Sequence, residues 1–138
     1  MTQSRNRRSG LQRPPVSPQK IMVVDDDAVI RDMMADILES EGYASTLVRD
    51  GQEALHLLQG PESYLVFLDL MMPTFSGRDV CTALATQPQT RQRHILILMS
   101  AMDRLADIAE LDIDMVMPKP FVIEDVEDAL NEYMQLGF

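Results

Sequence analysis

The chain has a single cysteine, Cys81, so no disulfide can form within it. That agrees with a reducing, cytoplasmic compartment, and a small buried thiol on a helix is the expected role. Long apolar runs are also missing. Nowhere do about eighteen uncharged apolar residues stand together, as a membrane-spanning helix requires, and the first residues hold no apolar stretch of the signal-peptide kind. The first twenty residues contain no acid. They carry Arg5, Arg7, Arg8, Arg13 and Lys20, so the formal charge of −10 leaves −15 on the remainder. So acidic a body repels nucleic-acid phosphate, which argues against direct nucleic-acid binding and favours cations or basic partner surfaces.

What is present divides at residue 20. Residues 1–19 are rich in Arg, Ser, Gln and Pro (Pro14, Pro15, Pro18), too poor in apolar surface to offset their ordering entropy, and are expected to form a disordered tail. Residues 20–138 are long enough for one domain with one core. Within them, apolar runs alternate with segments of helical period, the pattern of a parallel sheet flanked by helices. The runs Ile21 to Asp25, Ala44 to Arg49, Tyr64 to Asp69, His94 to Ser100 and Ile113 to Met117 predict five strands. Five helices are expected between and after them. The first carries Ile30, Met33, Met34, Ile37 and Leu38, with Gly42 as its stop signal. Ala54, Leu57 and Leu58 mark the second, and Val80, Leu84 and Ala85 the third. The fourth is short, near Leu105 to Leu111, and the fifth carries Ile123, Val126, Leu130, Tyr133 and Met134. Right-handed crossovers turn this order into an open, doubly wound α/β sheet, (βα)5, with helices on both faces.

In such a sheet, ligands bind beyond the carboxyl ends of the strands, where the strand order reverses. Asp25, Asp26 and Asp27 close the first strand, Asp69 the third and Ser100 the fourth, and the last runs towards Lys119-Pro120-Phe121. Crowded carboxylates usually hold a hard cation, and acid, hydroxyl and amine at one edge suit phosphoryl chemistry on an aspartate. Simpler roles compete. Asp26 or Asp27 could cap the first helix, and for Asp27 capping is the favoured role; Asp69 could sit in a turn before Pro73, Ser100 could merely end a strand, and Lys119 could be solvated. His56 and His94 lack ligand spacing and are expected at the surface. Met33, Met34, Met71, Met72, Met99, Met115 and Met117 read as core filler and adaptable contact surface.

The chain resembles receiver domains of bacterial two-component response regulators. The likeness rests on Val23-Val24-Asp25-Asp26-Asp27, on Leu68-Asp69-Leu70-Met71-Met72-Pro73 followed by Gly77, on Ser100-Ala101 and on Lys119-Pro120-Phe121. It implies a flavodoxin-like fold and a phosphoryl group accepted on Asp69 from the phosphohistidine of a histidine kinase or phosphotransfer protein, without turnover of a substrate. The implied cofactor is Mg2+, with Asp26 and Asp69 as direct ligands, Asp25 acting through water and Met71 contributing its backbone carbonyl. The resemblance further gives Lys119 and Ser100 to the phosphoryl oxygens and makes Lys119-Pro120 a cis peptide bond. Gly77 is expected to use the conformational freedom of glycine.

Several positions depart from the family pattern. Val116 stands where an aromatic residue commonly switches, and only 19 positions separate Ser100 from Lys119, so an irregular fourth helix is expected. Met71 and Met102 place apolar groups where access of hydrolytic water is tuned, which predicts slow loss of phosphate. Asp112-Ile113-Asp114-Met115 also stands where a glycine or alanine commonly precedes the fifth strand, so different partner or dimer contacts are expected through the face of the fourth helix, fifth strand and fifth helix. The leading reading is a receiver that signals by changing its affinity for an unidentified downstream protein, and a rival is a receiver without productive switching, acting as a constitutive adaptor or phosphate sink. A Mg2+-dependent phosphohydrolase is a second rival, although Met71 stands where such enzymes use an acid. An acidic first loop argues against a flavin phosphate.

Overall fold

The computed structural model describes residues 18–134. The expected tail at 1–19 therefore lies outside the described residues, except Pro18 and Gln19. Five strands, β1 (Lys20–Val24), β2 (Thr46–Val48), β3 (Tyr64–Asp69), β4 (Ile95–Ala101) and β5 (Met115–Lys119), form one parallel sheet in the order β2-β1-β3-β4-β5. The order reverses beside β1, between β2 and β3.

Both faces of the sheet are covered, which is why its central strands read as unbroken apolar runs. Alternate residues serve opposite cores. Met22, Val24, Val66, Leu68, Leu96 and Leu98 pack towards α2 (Gly51–Leu58) and α3 (Gly77–Ala85). Ile21, Val23, Leu65, Phe67, Ile97 and Met99 pack towards α1 (Ala28–Ser40) and α5 (Ile123–Tyr133). Cys81 is buried on α3, and its burial pushes the thiol up to about 12. The methionines divide: Met34, Met72, Met99, Met115 and Met117 are buried, whereas Met33 and Met71 are exposed. Among the described residues no helix is long and apolar enough to cross a membrane.

The helices α1, α2 and α3 start where side chains can satisfy their free amides. Asp27 accepts from the Val29 amide at 2.9 Å, so this acid is the cap of α1. Asp50 accepts from Glu53 at 2.8 Å to start α2. Ser76 and Asp79 cap α3 reciprocally, each accepting from the other's amide at 3.2 and 2.9 Å.

The structure corrects four expectations. The fourth crossover is a 3-10 helix, Met102–Ile108, rather than a helix near Leu105 to Leu111. A short helix α4, Pro88–Gln92, precedes β4; its polar sequence carries no apolar period, although Pro88 fits a first helical turn. β5 starts two residues late because Asp114 is taken up elsewhere. Its carboxylate accepts from the Leu96 amide at 2.8 Å and from the Arg91 guanidinium at 3.0 Å.

The fourth correction concerns His94, which is fully buried rather than at the surface. Its Nδ1 accepts from the Tyr64 amide at 3.1 Å, and Nε2 lies 2.8 Å from the Leu58 carbonyl and donates to it. Burial holds the imidazole below its ordinary pKa, outweighing the Leu58 hydrogen bond that favours a proton. A second proton would break the Tyr64 bond. The unfolded chain therefore takes up that proton first, and stability is lost as pH falls below the unfolded value of about 6.5. We expect the stability advantage of the wild type over His94→Gln, on the order of 1–3 kcal/mol at pH 7.5, to narrow towards pH 5 in urea denaturation. A constant difference would show that His94 does not carry this linkage.

Candidate functional site

The site is built from the carboxyl ends of β1, β3 and β5. Asp25, the residue after β1, is almost fully buried and engaged by four hydrogen bonds. Its amide donates to the Val48 carbonyl at 3.1 Å, and its carbonyl accepts from Arg31 Nη1 at 2.8 Å. Oδ1 accepts from the Asp27 amide at 2.9 Å, and Oδ2 from Lys119 Nζ at 2.9 Å. Asp69 ends β3, and its Oδ1 accepts from Lys119 Nζ at 3.2 Å and from the Met71 amide at 3.4 Å. The peptide bond from Lys119 to Pro120 is cis. One ammonium thus bridges two buried carboxylates.

Asp26 is exposed, yet one oxygen from each of Asp25, Asp26 and Asp69 lies within 4.8 Å of the others. Three carboxylates around one ammonium leave a formal −2, the charge a single divalent cation cancels. The donors are hard oxygens facing an open side, which fits an ion such as Mg2+ that keeps several waters. Met71 lies beside Asp69 in the following loop with its side chain exposed. Ser100 sits at the same sheet edge, one residue beyond the Asp69–Met99 pairing, and is buried. Its hydroxyl donates to the Ala101 carbonyl at 3.1 Å and is not bonded to the carboxylates. The structure therefore gathers Asp25, Asp26, Asp69 and Lys119 directly, with Ser100 beside them.

Burial, reinforced by the Asp25 charge, pushes Asp69 up to about 6 despite the opposing Lys119 ammonium. For Lys119 itself burial disfavours the charge, but its bonds and charge contacts with Asp25 and Asp69 outweigh that and hold its pKa up. The pair thus stays ionised at neutral pH.

The loop after Asp69 is wedged between two helix starts. A Cβ on Gly77 would lie 2.3 Å from the Asp69 carbonyl oxygen, and one on Gly51 would lie 2.3 Å from that of Phe75. Gly77 is therefore required for close approach, not for an unusual φ as expected. The unusual φ belongs to Thr74, at 71°, where the Phe75 amide donates to the Pro73 carbonyl at 2.8 Å in a γ-turn. Sequence reasoning missed Gly51, Thr74 and Arg31. For Arg31 the available signal was a cation four residues beyond the helix cap.

A doubly wound parallel sheet with an acidic triad and a lysine at its switch point defines a class of phosphoacceptor signalling domains. The model of the response regulator receiver domain matches residues 21–131, and the chain belongs to that family. The response regulator MprA of Mycolicibacterium vanbaalenii is 36% identical over 112 residues, covering 79% of this chain and 47% of that protein. The chain thus spans about half the length of the curated relatives it matches. The receiver domain of the Francisella response regulator 1452 is 27% identical with a TM-score of 0.71, over 84% of this chain and 96% of that one. A receiver domain of a Pseudomonas aeruginosa sensor histidine kinase, 22% identical, has the same fold with a TM-score of 0.72 over 87% of this chain and 100% of that one. That structure has a magnesium ion in its active-site cleft.

Two predictions follow from the geometry. With Asp69 raised in the folded state, its favourable contribution is complete below about pH 4 and is lost as pH rises through 6. Asp69→Asn should then stabilise the metal-free protein by about 1–3 kcal/mol at pH 7.5, with the gain vanishing near pH 4. No gain at pH 7.5 would contradict the raised value. Gly77→Ala should cost about 1–3 kcal/mol, in the range of an overpacked core, because its Cβ would press on the Asp69 carbonyl. Unchanged urea denaturation would show that the loop yields freely.

Proposed function

We propose that the chain is a phosphoacceptor receiver. Asp69 takes a phosphoryl group from the phosphohistidine of a histidine kinase or phosphotransfer protein in the cytoplasm, and the modified chain changes its affinity for a downstream protein. The observation that carries the reading is Lys119 held between Asp25 and Asp69, with Asp26 beside them. An Asp69 oxygen attacks phosphorus in line, the phosphorus–nitrogen bond breaks, and its electron pair leaves with the imidazole. Lys119, already a hydrogen-bond donor at the acceptor oxygen, turns to a phosphoryl oxygen as that charge develops. Ser100 releases the Ala101 carbonyl and donates to another. Asp26, Asp69 and the Met71 carbonyl would hold Mg2+, with Asp25 reached through water, and the ion would supply positive charge that offsets the meeting of two anions. The magnesium in the Pseudomonas neighbour supports that assignment. The chain turns over no substrate; slow loss of its own phosphate ends the state.

Val116 gives weight to a second reading, an adaptor or phosphate sink without switching. It is buried on β5 and has neither the ring nor the hydroxyl of the aromatic residue common there.

Intact mass after incubation with acetyl phosphate and Mg2+ tests the first step. We expect a gain of one phosphoryl group, abolished by Asp69→Asn and by EDTA. No gain with acetyl phosphate or with phosphorylated kinases would overturn the reading, and partner affinity unchanged by phosphorylation would select the adaptor.

A further inference from the structure

Asp26 is the weak point of the triad. Asp25 is anchored through four hydrogen bonds and Asp69 through two, but the exposed Asp26 carboxylate accepts none from the described residues. Its aim towards the other two acids depends on its backbone alone. The peptide group joining Asp25 to Asp26 is planar, so its carbonyl oxygen fixes the plane from which Asp26 departs. That oxygen is the one Arg31 Nη1 holds at 2.8 Å. Arg31 lies in the first turn of α1, and its own amide donates to the Asp27 carbonyl at 3.0 Å. The side chain thus reaches back past the helix cap and ties the β1–α1 turn to the helix that follows.

We propose that Arg31 is a positioning residue that aims Asp26 at the divalent cation by fixing the plane of the Asp25–Asp26 peptide. The inference rests on the Mg2+ reading above and concerns binding rather than phosphoryl transfer. Its direction separates it from a plain charge effect. A cation beside three carboxylates repels Mg2+, so removing only that charge tightens binding. Releasing the turn weakens it, as loss of a group that orients a metal ligand commonly does, by about 10- to 100-fold.

The experiment is a Mg2+ titration of the wild type, Arg31→Met, Arg31→Lys, Asp26→Asn and the Arg31→Met/Asp26→Asn double variant, with thermal unfolding of each without metal. We expect Arg31→Met to weaken binding about tenfold or more and Arg31→Lys to restore much of it. In the Asp26→Asn background, Arg31→Met should add little, because both changes act on one ligand. Tighter binding in Arg31→Met, unchanged binding, or full additivity with Asp26→Asn would overturn the proposal while leaving the Mg2+ reading intact. A wild type that binds no Mg2+ would overturn both.

Discussion

One ammonium among three carboxylates governs this molecule. Without Lys119, Asp25 and Asp69 would be two buried anions a few ångströms apart, a state that proteins normally escape by protonating one of them. With it, both carboxylates share one ammonium, but the balance is incomplete, and burial still raises Asp69. The remaining formal charge of the cluster is the kind that a divalent cation would cancel. A domain that fully neutralised the cluster from its own side chains would leave no charge for a cation to cancel.

The sheet makes this arrangement affordable. Its parallel strands place residues from positions 25, 69 and 119 at one edge, while the two cores beneath are apolar and closely buried. At the opposite end, Arg91 and His94 are also buried and Asp114 is half-buried, yet each is met by backbone or side-chain partners. The two ends therefore differ in kind. One pairs Arg91, His94 and Asp114 within the fold and holds α4, β4 and β5 together, and the other leaves charge unresolved where a partner can reach it.

How much could be read in advance depended on where the determining contacts lay. β1, β3 and β4 were legible because strands covered on both faces need apolar residues at every position. Asp25, Asp26, Asp69 and Lys119 were legible because strand ends in such a sheet share one edge. α4 was hidden, since Pro88 to Gln92 offers no apolar period and its anchor, Arg91, bonds to residues about twenty positions later. His94 was misread for a similar reason: its partners, Leu58 and Tyr64, are distant in the chain, and only the fold shows that they can satisfy both ring nitrogens. Gly77 was singled out for the wrong cause. A glycine required by a neighbour's oxygen and one required by its own φ look alike in a sequence.

The two glycines also bear on how far an event at Asp69 can travel. The segment from Asp69 to Phe75 is keyed at both ends into slots where no side chain fits, one at the first residue of α2 and one at the first residue of α3. A keyed segment cannot drift by small, independent adjustments. Strain at its head is handed to two helices together, and these helices line the sheet face opposite α1 and α5. The joinery thus offers a mechanical route from the acidic cluster to the α2–α3 face, carried by backbone at Gly77 and by the backbone and ring of Phe75 at Gly51.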